Sequence, residues 1–165
     1  MKNFIKELIP YVLIVLVVVL IRTYIATPVI VSGDSMVPTL EDGNMLLLDK
    51  ISYRNKDIKR FDIVVIKASK KEIIKRVIGL PGEVVEYHSN TLYINGHEVS
   101  DKYAYNTTDF TLDSVCNCEK IPDGKYLVLG DNRVVSADSR IIGLIDEKDI
   151  LGKVNISLWP IKKVS

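Results

Sequence analysis

The sequence predicts a mainly β fold, a curved, barrel-like sheet domain behind one N-terminal transmembrane helix. Two observations carry that prediction. An uncharged apolar run opens the chain at residues 8–21 (LIPYVLIVLVVVLI). After it, short stretches rich in Val, Ile, Leu and Tyr recur between Gly-containing turn pairs, and no helical period dominates. With 165 residues, 47% hydrophobic and 26% charged, the chain is long enough for one domain with its own core and too apolar for disorder.

The first element is the apolar run. Residues 8–21 alone rise about 21 Å as a helix, short of a hydrocarbon core of about 30 Å. Extension through Arg22, Thr23, Tyr24, Ile25 and Ala26 completes a span at residues 8–26. Arg22 can snorkel to the interface, and Tyr24 suits the interfacial belt. A buried core helix would carry a polar face, and this run has none. A cleaved leader would need a small-x-small site, whereas the chain continues A-T-P-V after Ile25. The run therefore reads as an uncleaved signal-anchor. Lys2 and Lys6 place residues 1–7 in the cytoplasm and residues 27–165 outside it.

The strands are expected at 29–31, 45–48, 63–66, 73–78, 84–87, 92–94, 126–129 and 154–158. Asp42-Gly43, Pro81-Gly82, Asn95-Gly96 and Asp123-Gly124 are the turns between them, with Asn95-Gly96 at the tip of a hairpin over 92–99. Two short stretches read as helical, 38–41 and 145–150. Residues 100–119 are polar and irregular and read as a surface insertion or long loop.

Charge and composition exclude several functions. Lys plus Arg is 22 and Asp plus Glu is 21, a net charge of +1, which argues against a nucleic-acid binder working through a basic field. Two His and 2 Cys are too few for a zinc site, and no cofactor or metal is expected. Cys116 and Cys118 lie one residue apart, where a disulfide would close a very small ring, so two free thiols are expected.

Three segments carry candidate chemistry. Ser35 lies in G-D-S-M-V-P-T-L, between a strand end and a Pro-containing turn. There it can present a hydroxyl and offer backbone N–H groups to an oxyanion, or simply cap a turn. Lys75 lies in I-I-K-R-V-I-G-L-P-G. A lysine buried there loses hydration, its pKa falls, and in neutral form it can take a proton from a serine. Strand alternation lets either Lys75 or Arg76 point inward. Residues 130–140, G-D-N-R-V-V-S-A-D-S-R, are either a solvated loop or a set of serines and Asp/Arg pairs bracing a site.

An apolar anchor followed by S-M-V-P-T-L, F-D-I-V-V, K-R-V-I-G-L-P-G-E and G-D-N-R-V-V-S-A-D-S-R resembles the bacterial type I signal peptidases, peptidase family S26, in their short Gram-positive form. The resemblance covers nearly the whole chain. It implies the β-rich fold that these enzymes share with self-cleaving repressors of the LexA type. It implies a membrane-bound serine endopeptidase that removes signal peptides from exported preproteins after small residues at the first and third positions before the cut. By position, Ser35 matches the nucleophile and Lys75 the general base. Ser136 matches the serine that orients the lysine amine, and Asp138 and Arg140 match a structural ion pair behind the site. Some relatives place an oxyanion-binding serine two residues before the nucleophile; here that residue is Gly33. The implied partners are extended signal peptides, lying between residues 29–34 and 72–74, together with membrane lipid and the neighbourhood of the export translocase. Two competing readings are a self-cleaving repressor, which would need a DNA-binding segment, and an inactive membrane-tethered β-domain that binds exported chains.

Overall fold

The computed structural model describes residues 2–51, 58–68 and 71–164, with the side chains of residues 2–5 left aside. Helix α1 (Lys2–Tyr24) holds the apolar run, and its span Lys6–Tyr24 has a mean hydropathy of 2.0 with none of it buried against protein. By length and composition this helix is apolar enough to cross a membrane. Its C-terminal carbonyls are taken up locally. Thr27 Oγ1 donates to Arg22 O at 2.7 Å and Lys50 Nζ to the same oxygen at 3.1 Å.

Strand β1 (Ala26–Ile30) follows at once and pairs antiparallel with β2 (Met45–Asp49). The main sheet is completed by β3 (Ile63–Ala68), β4 (Lys71–Gly79), β9 (Lys125–Leu129), β10 (Ile145–Asp146), β11 (Ile150–Trp159) and β12 (Ile161–Lys163). Its order is β1-β2-β11-β3-β4-β9-β10, with β12 beside β11. A smaller sheet has the order β7-β6-β5-β8, from β5 (Val85–His88), β6 (Thr91–Ile94), β7 (His97–Val99) and β8 (Phe110–Thr111). The expected hairpin is the β6–β7 pair. Asn95 and Gly96 have φ of 51° and 79°, the left-handed pair that a two-residue turn of this hand requires.

Each sheet face finds a core. Val31, Met36, Leu40, Leu46, Leu48 and Val65 are buried together under the segment that carries Ser35. A second cluster joins Ile78, Leu127 and Leu129 of the main sheet to Tyr87, Leu92 and Phe110 of the smaller one.

Three local expectations need correction. Residues 38–41 form turns rather than a helix. Residues 145–150 form β10 and one 3-10 turn, Glu147–Asp149, because Ile145 and Asp146 are drawn into pairing with Tyr126 and Lys125. Residues 100–119 are more than a surface loop. They contain β8 and a short helix α2 (Leu112–Cys116), and Thr107, Phe110 and Leu112 are buried.

Candidate active site

Ser35 sits on an excursion between β1 and β2 that is closed at its neck. Val31 N donates to Asn44 O at 2.9 Å, Gly43 N to Val31 O at 3.0 Å, and Gly33 N to Asp42 Oδ1 at 2.8 Å. Met36 and Leu40, 1% and 0% exposed, anchor the excursion in the core on either side of its turn. The nucleophile candidate is thus carried on a small closed loop with apolar roots.

Lys75 lies in β4, opposite Val64 of β3. It is only 3% exposed, and its Nζ stands 2.8 Å from Ser35 Oγ and 3.0 Å from Ile74 O. Burial pushes the amine below its ordinary pKa of 10.5, against the opposing fields of Asp138 and Asp131. The alternation question has a double answer. Arg76 is also buried, on the other face of β4, where Nε and Nη2 both donate at 2.7 Å to the carboxylate of Asp131. One strand therefore feeds a lysine to the serine and an arginine to an ion pair behind it.

The segment 130–140 wraps the pair. Asn132 N donates to Ser35 O at 3.0 Å. A side chain at Gly130 would put its Cβ 2.5 Å from Ser35 O and 2.2 Å from Ser136 Oγ, so only glycine lets the segment come this close. Asp138, fully buried, accepts from Gly130 N at 3.0 Å and from Arg140 Nε and Nη2 at 2.9 Å each. It also caps helix α3 (Ser139–Ile142). The ion pair expected of Asp138 and Arg140 is therefore formed. The hydrogen bond expected between Ser136 and the lysine amine is not. Ser136 Oγ is buried beside Gly130 with no partner among the described residues.

Other members of the site's support were not foreseen. Asp131 is one, and Arg133 is another. The Arg133 guanidinium, fully buried, donates to Gly130 O at 2.9 Å, to Thr107 Oγ1 at 2.8 Å, to Tyr87 Oη at 3.0 Å and to Asp101 Oδ2 at 2.6 Å. The only sequence signal for this cluster was the density of charge in residues 130–140; its partners come from 87 to 107, far along the chain. The two cysteines are joined, contrary to expectation. Asn117 between them adopts the left-handed conformation, φ 51° and ψ 45°, which brings the Cα atoms of Cys116 and Cys118 to 5.2 Å, within the span of a disulfide.

A cleft of about 160 Å³ ends at the pair, lined by Val29, Ile30 and Val31 on one side and Glu72, Ile73 and Ile74 on the other, with Ser35 and Lys75 at its head. Both flanking strands present an open edge there. Strand β1 pairs with β2 on one side only, and β4 pairs with β9 only from Arg76 onward, among the described residues.

The family model described as signal peptidase, peptidase S26, matches residues 1–159. The chain is 43% identical over 165 residues to signal peptidase I of Bacillus caldolyticus, covering 93% of this chain and 91% of that one. It is 39% identical over 174 residues to signal peptidase IB of Staphylococcus aureus strain Mu50, covering 94% and 91%. It is also similar to the crystal structure of a signal peptidase I from Enterococcus faecalis V583, with TM-score 0.55 and 39% identity over 59% of this chain and 96% of that one. A β-rich domain behind an apolar helix, a buried lysine on a serine, and these similarities lead to one assignment: the chain belongs to the signal peptidase family, peptidase S26, and is a serine endopeptidase.

Proposed function

We propose that this peptidase cleaves signal peptides by a Ser35/Lys75 dyad, and that α1 anchors it with residues 1–7 cytoplasmic, 8–26 in the membrane and 27–165 outside. The observation that carries the reading is the 2.8 Å approach of Lys75 Nζ to Ser35 Oγ at the head of a cleft between two open strand edges. An extended peptide entering the cleft pairs its main chain with β1 and with Glu72–Ile74, and its alternate side chains face the cleft walls. Small residues at the first and third positions before the cut are the side chains this cleft is proposed to take.

Neutral Lys75 takes the proton of Ser35, and Oγ attacks the scissile carbonyl carbon. The resulting oxyanion is held by the backbone N–H of Ser35; Gly33 has no hydroxyl to add a side-chain donor. The protonated lysine gives its proton to the leaving amine, and the peptide bond breaks to leave an acyl ester on Ser35. Lysine, neutral again, then takes a proton from the water that attacks the ester carbonyl and returns it to Ser35 Oγ as the acyl bond breaks. Ser136, buried and unpartnered, orients the amine as it turns away from Ile74 O. Asp138 and Arg140 hold residues 130–140 against the serine. The substrate reaches the site in the plane of the lipid, near the export translocase that delivers it.

The test is cleavage in detergent micelles of an exported precursor with Ala at the first and third positions before the cut, the product read by mass. Cutting at that bond by the wild type, and its loss in folded Ser35→Ala, supports the reading. No cutting by a folded wild type favours a tethered binding domain instead.

A further inference from the structure

We propose that Tyr103 is a positioning residue that fixes the Ser35 excursion against the Lys75 strand; the inference rests on the dyad proposed above. Tyr103 comes from the polar segment 100–109, which the dyad mechanism does not use, and it touches a chain neighbour of each half of the pair, Thr39 and Arg76. Thr39 Oγ1, four residues after the serine on the same closed excursion, donates to Tyr103 Oη at 2.7 Å. The Arg76 guanidinium, one residue after the lysine, stands 4.7 Å from the centroid of the Tyr103 ring. Arg76 Nη2 reaches Thr39 Oγ1 at 3.5 Å, closing a triangle of ring, hydroxyl and guanidinium.

The ring is itself held. Tyr103 N donates to Asp101 Oδ1 at 3.0 Å, and the other oxygen of that carboxylate takes the buried Arg133, whose Nε binds Gly130 O. Lys162 Nζ donates to Thr39 O at 3.0 Å from the far side of the excursion, and Lys102 Nζ lies 5.4 Å from the Tyr103 ring centroid. The Tyr103 side chain thus links the segments that bear Ser35 and Lys75, and its backbone N–H ties it through Asp101 and Arg133 to the segment that bears Ser136. Nothing else among the described residues joins the Ser35 excursion to segment 100–109 through a side-chain hydrogen bond. Arg76 buried over an aromatic face is worth more than an exposed pair, because water does not compete for the cation.

A reacting pair set at 2.8 Å is sensitive to small displacements, and a misplacement of about 1 Å can cost about 10²-fold in rate. The experiment measures kcat and KM for precursor cleavage by the full chain in micelles. The variants are Tyr103→Phe, Tyr103→Leu, Thr39→Val and the Phe/Val double, with thermal melting of each and Tyr105→Ala as a neighbouring exposed control. Tyr103→Leu is expected to lower kcat at least about tenfold with KM within about twofold. Tyr103→Phe is expected to recover part of that loss by keeping the ring on Arg76 and to show the rest, about threefold or more, because the Thr39 bond is gone. Tyr103→Phe and Thr39→Val should be non-additive in kcat, since each removes the same hydrogen bond. A fall in melting temperature with kcat unchanged in the folded variants would make Tyr103 structural only and overturn the proposal; so would strict additivity with no kcat loss in Tyr103→Leu. If Tyr103→Leu does not fold, the Phe/Val cycle decides alone. Lys75→Ala runs alongside, and its retaining activity would overturn the dyad rather than the linkage.

Discussion

Arg76 and Asp131 meet in a two-pronged ion pair, 2.7 Å on each prong and 2% and 0% exposed, one residue along the chain from the lysine that meets Ser35. Breaking such a pair from one side strands a buried charge. Asp131→Asn is therefore expected to cost about 3–5 kcal/mol, read as a fall in the melting temperature of the solubilised chain. The same change removes a negative field that raises the Lys75 pKa. In whatever fraction folds, the rising limb of the activity profile should move to lower pH.

Gly130→Ala tests the close approach of residues 130–140. The new Cβ would meet the Ser35 carbonyl oxygen at 2.5 Å and Ser136 Oγ at 2.2 Å. Rotation frees Ser136 Oγ but not its Cβ, also 2.5 Å away, and the backbone of Ser35 moves only with its whole excursion. A loss of about 1–3 kcal/mol in stability is expected from overpacking. Cleavage should fall about 10²-fold, since the displaced atom belongs to the proposed nucleophile. Wild-type kcat in this variant would mean that segment 130–132 does not set the serine's place.

Much of this architecture is legible in the sequence. The apolar helix, the main strands and the Asn95-Gly96 turn each follow from local patterning that the tertiary structure reinforces. Ser35, Lys75, Asp138 and Arg140 lie in short segments whose residue types suggest their chemistry. What is not legible depends on distant pairing. Residues 145–150 carry a helical composition, yet β9 recruits Ile145 and Asp146 into its edge. In segment 100–119, Asp101 and Thr107 are spent on Arg133, and that partner is invisible from either stretch alone. The disulfide depends on one backbone conformation at Asn117 that residue spacing does not disclose.

The buried lysine has a consequence for stability. Its folded-state pKa lies below 10.5, so the unfolded chain holds the proton more tightly. Stability should then rise with pH from the folded-state value towards 10.5 and level off above it. At neutral pH the lysine is a net cost, which its proposed role as the base accounts for. Lys75→Met should abolish cleavage while raising the melting temperature by about 2–5 °C and flattening its alkaline rise. A lower melting temperature in Lys75→Met would mean that the amine is instead held favourably as a cation.

The most direct test of the central claim, a neutral Lys75 activating Ser35, is the pH dependence of kcat/KM for precursor cleavage. It should be measured beside Ser35→Ala and Lys75→Ala, with folding checked by circular dichroism. The wild type should rise with pH through one ionisation below the ordinary lysine value of 10.5, and both variants should lose at least about 10³-fold. A profile flat from mildly acid to alkaline pH, or cleavage surviving in Lys75→Ala, would contradict it.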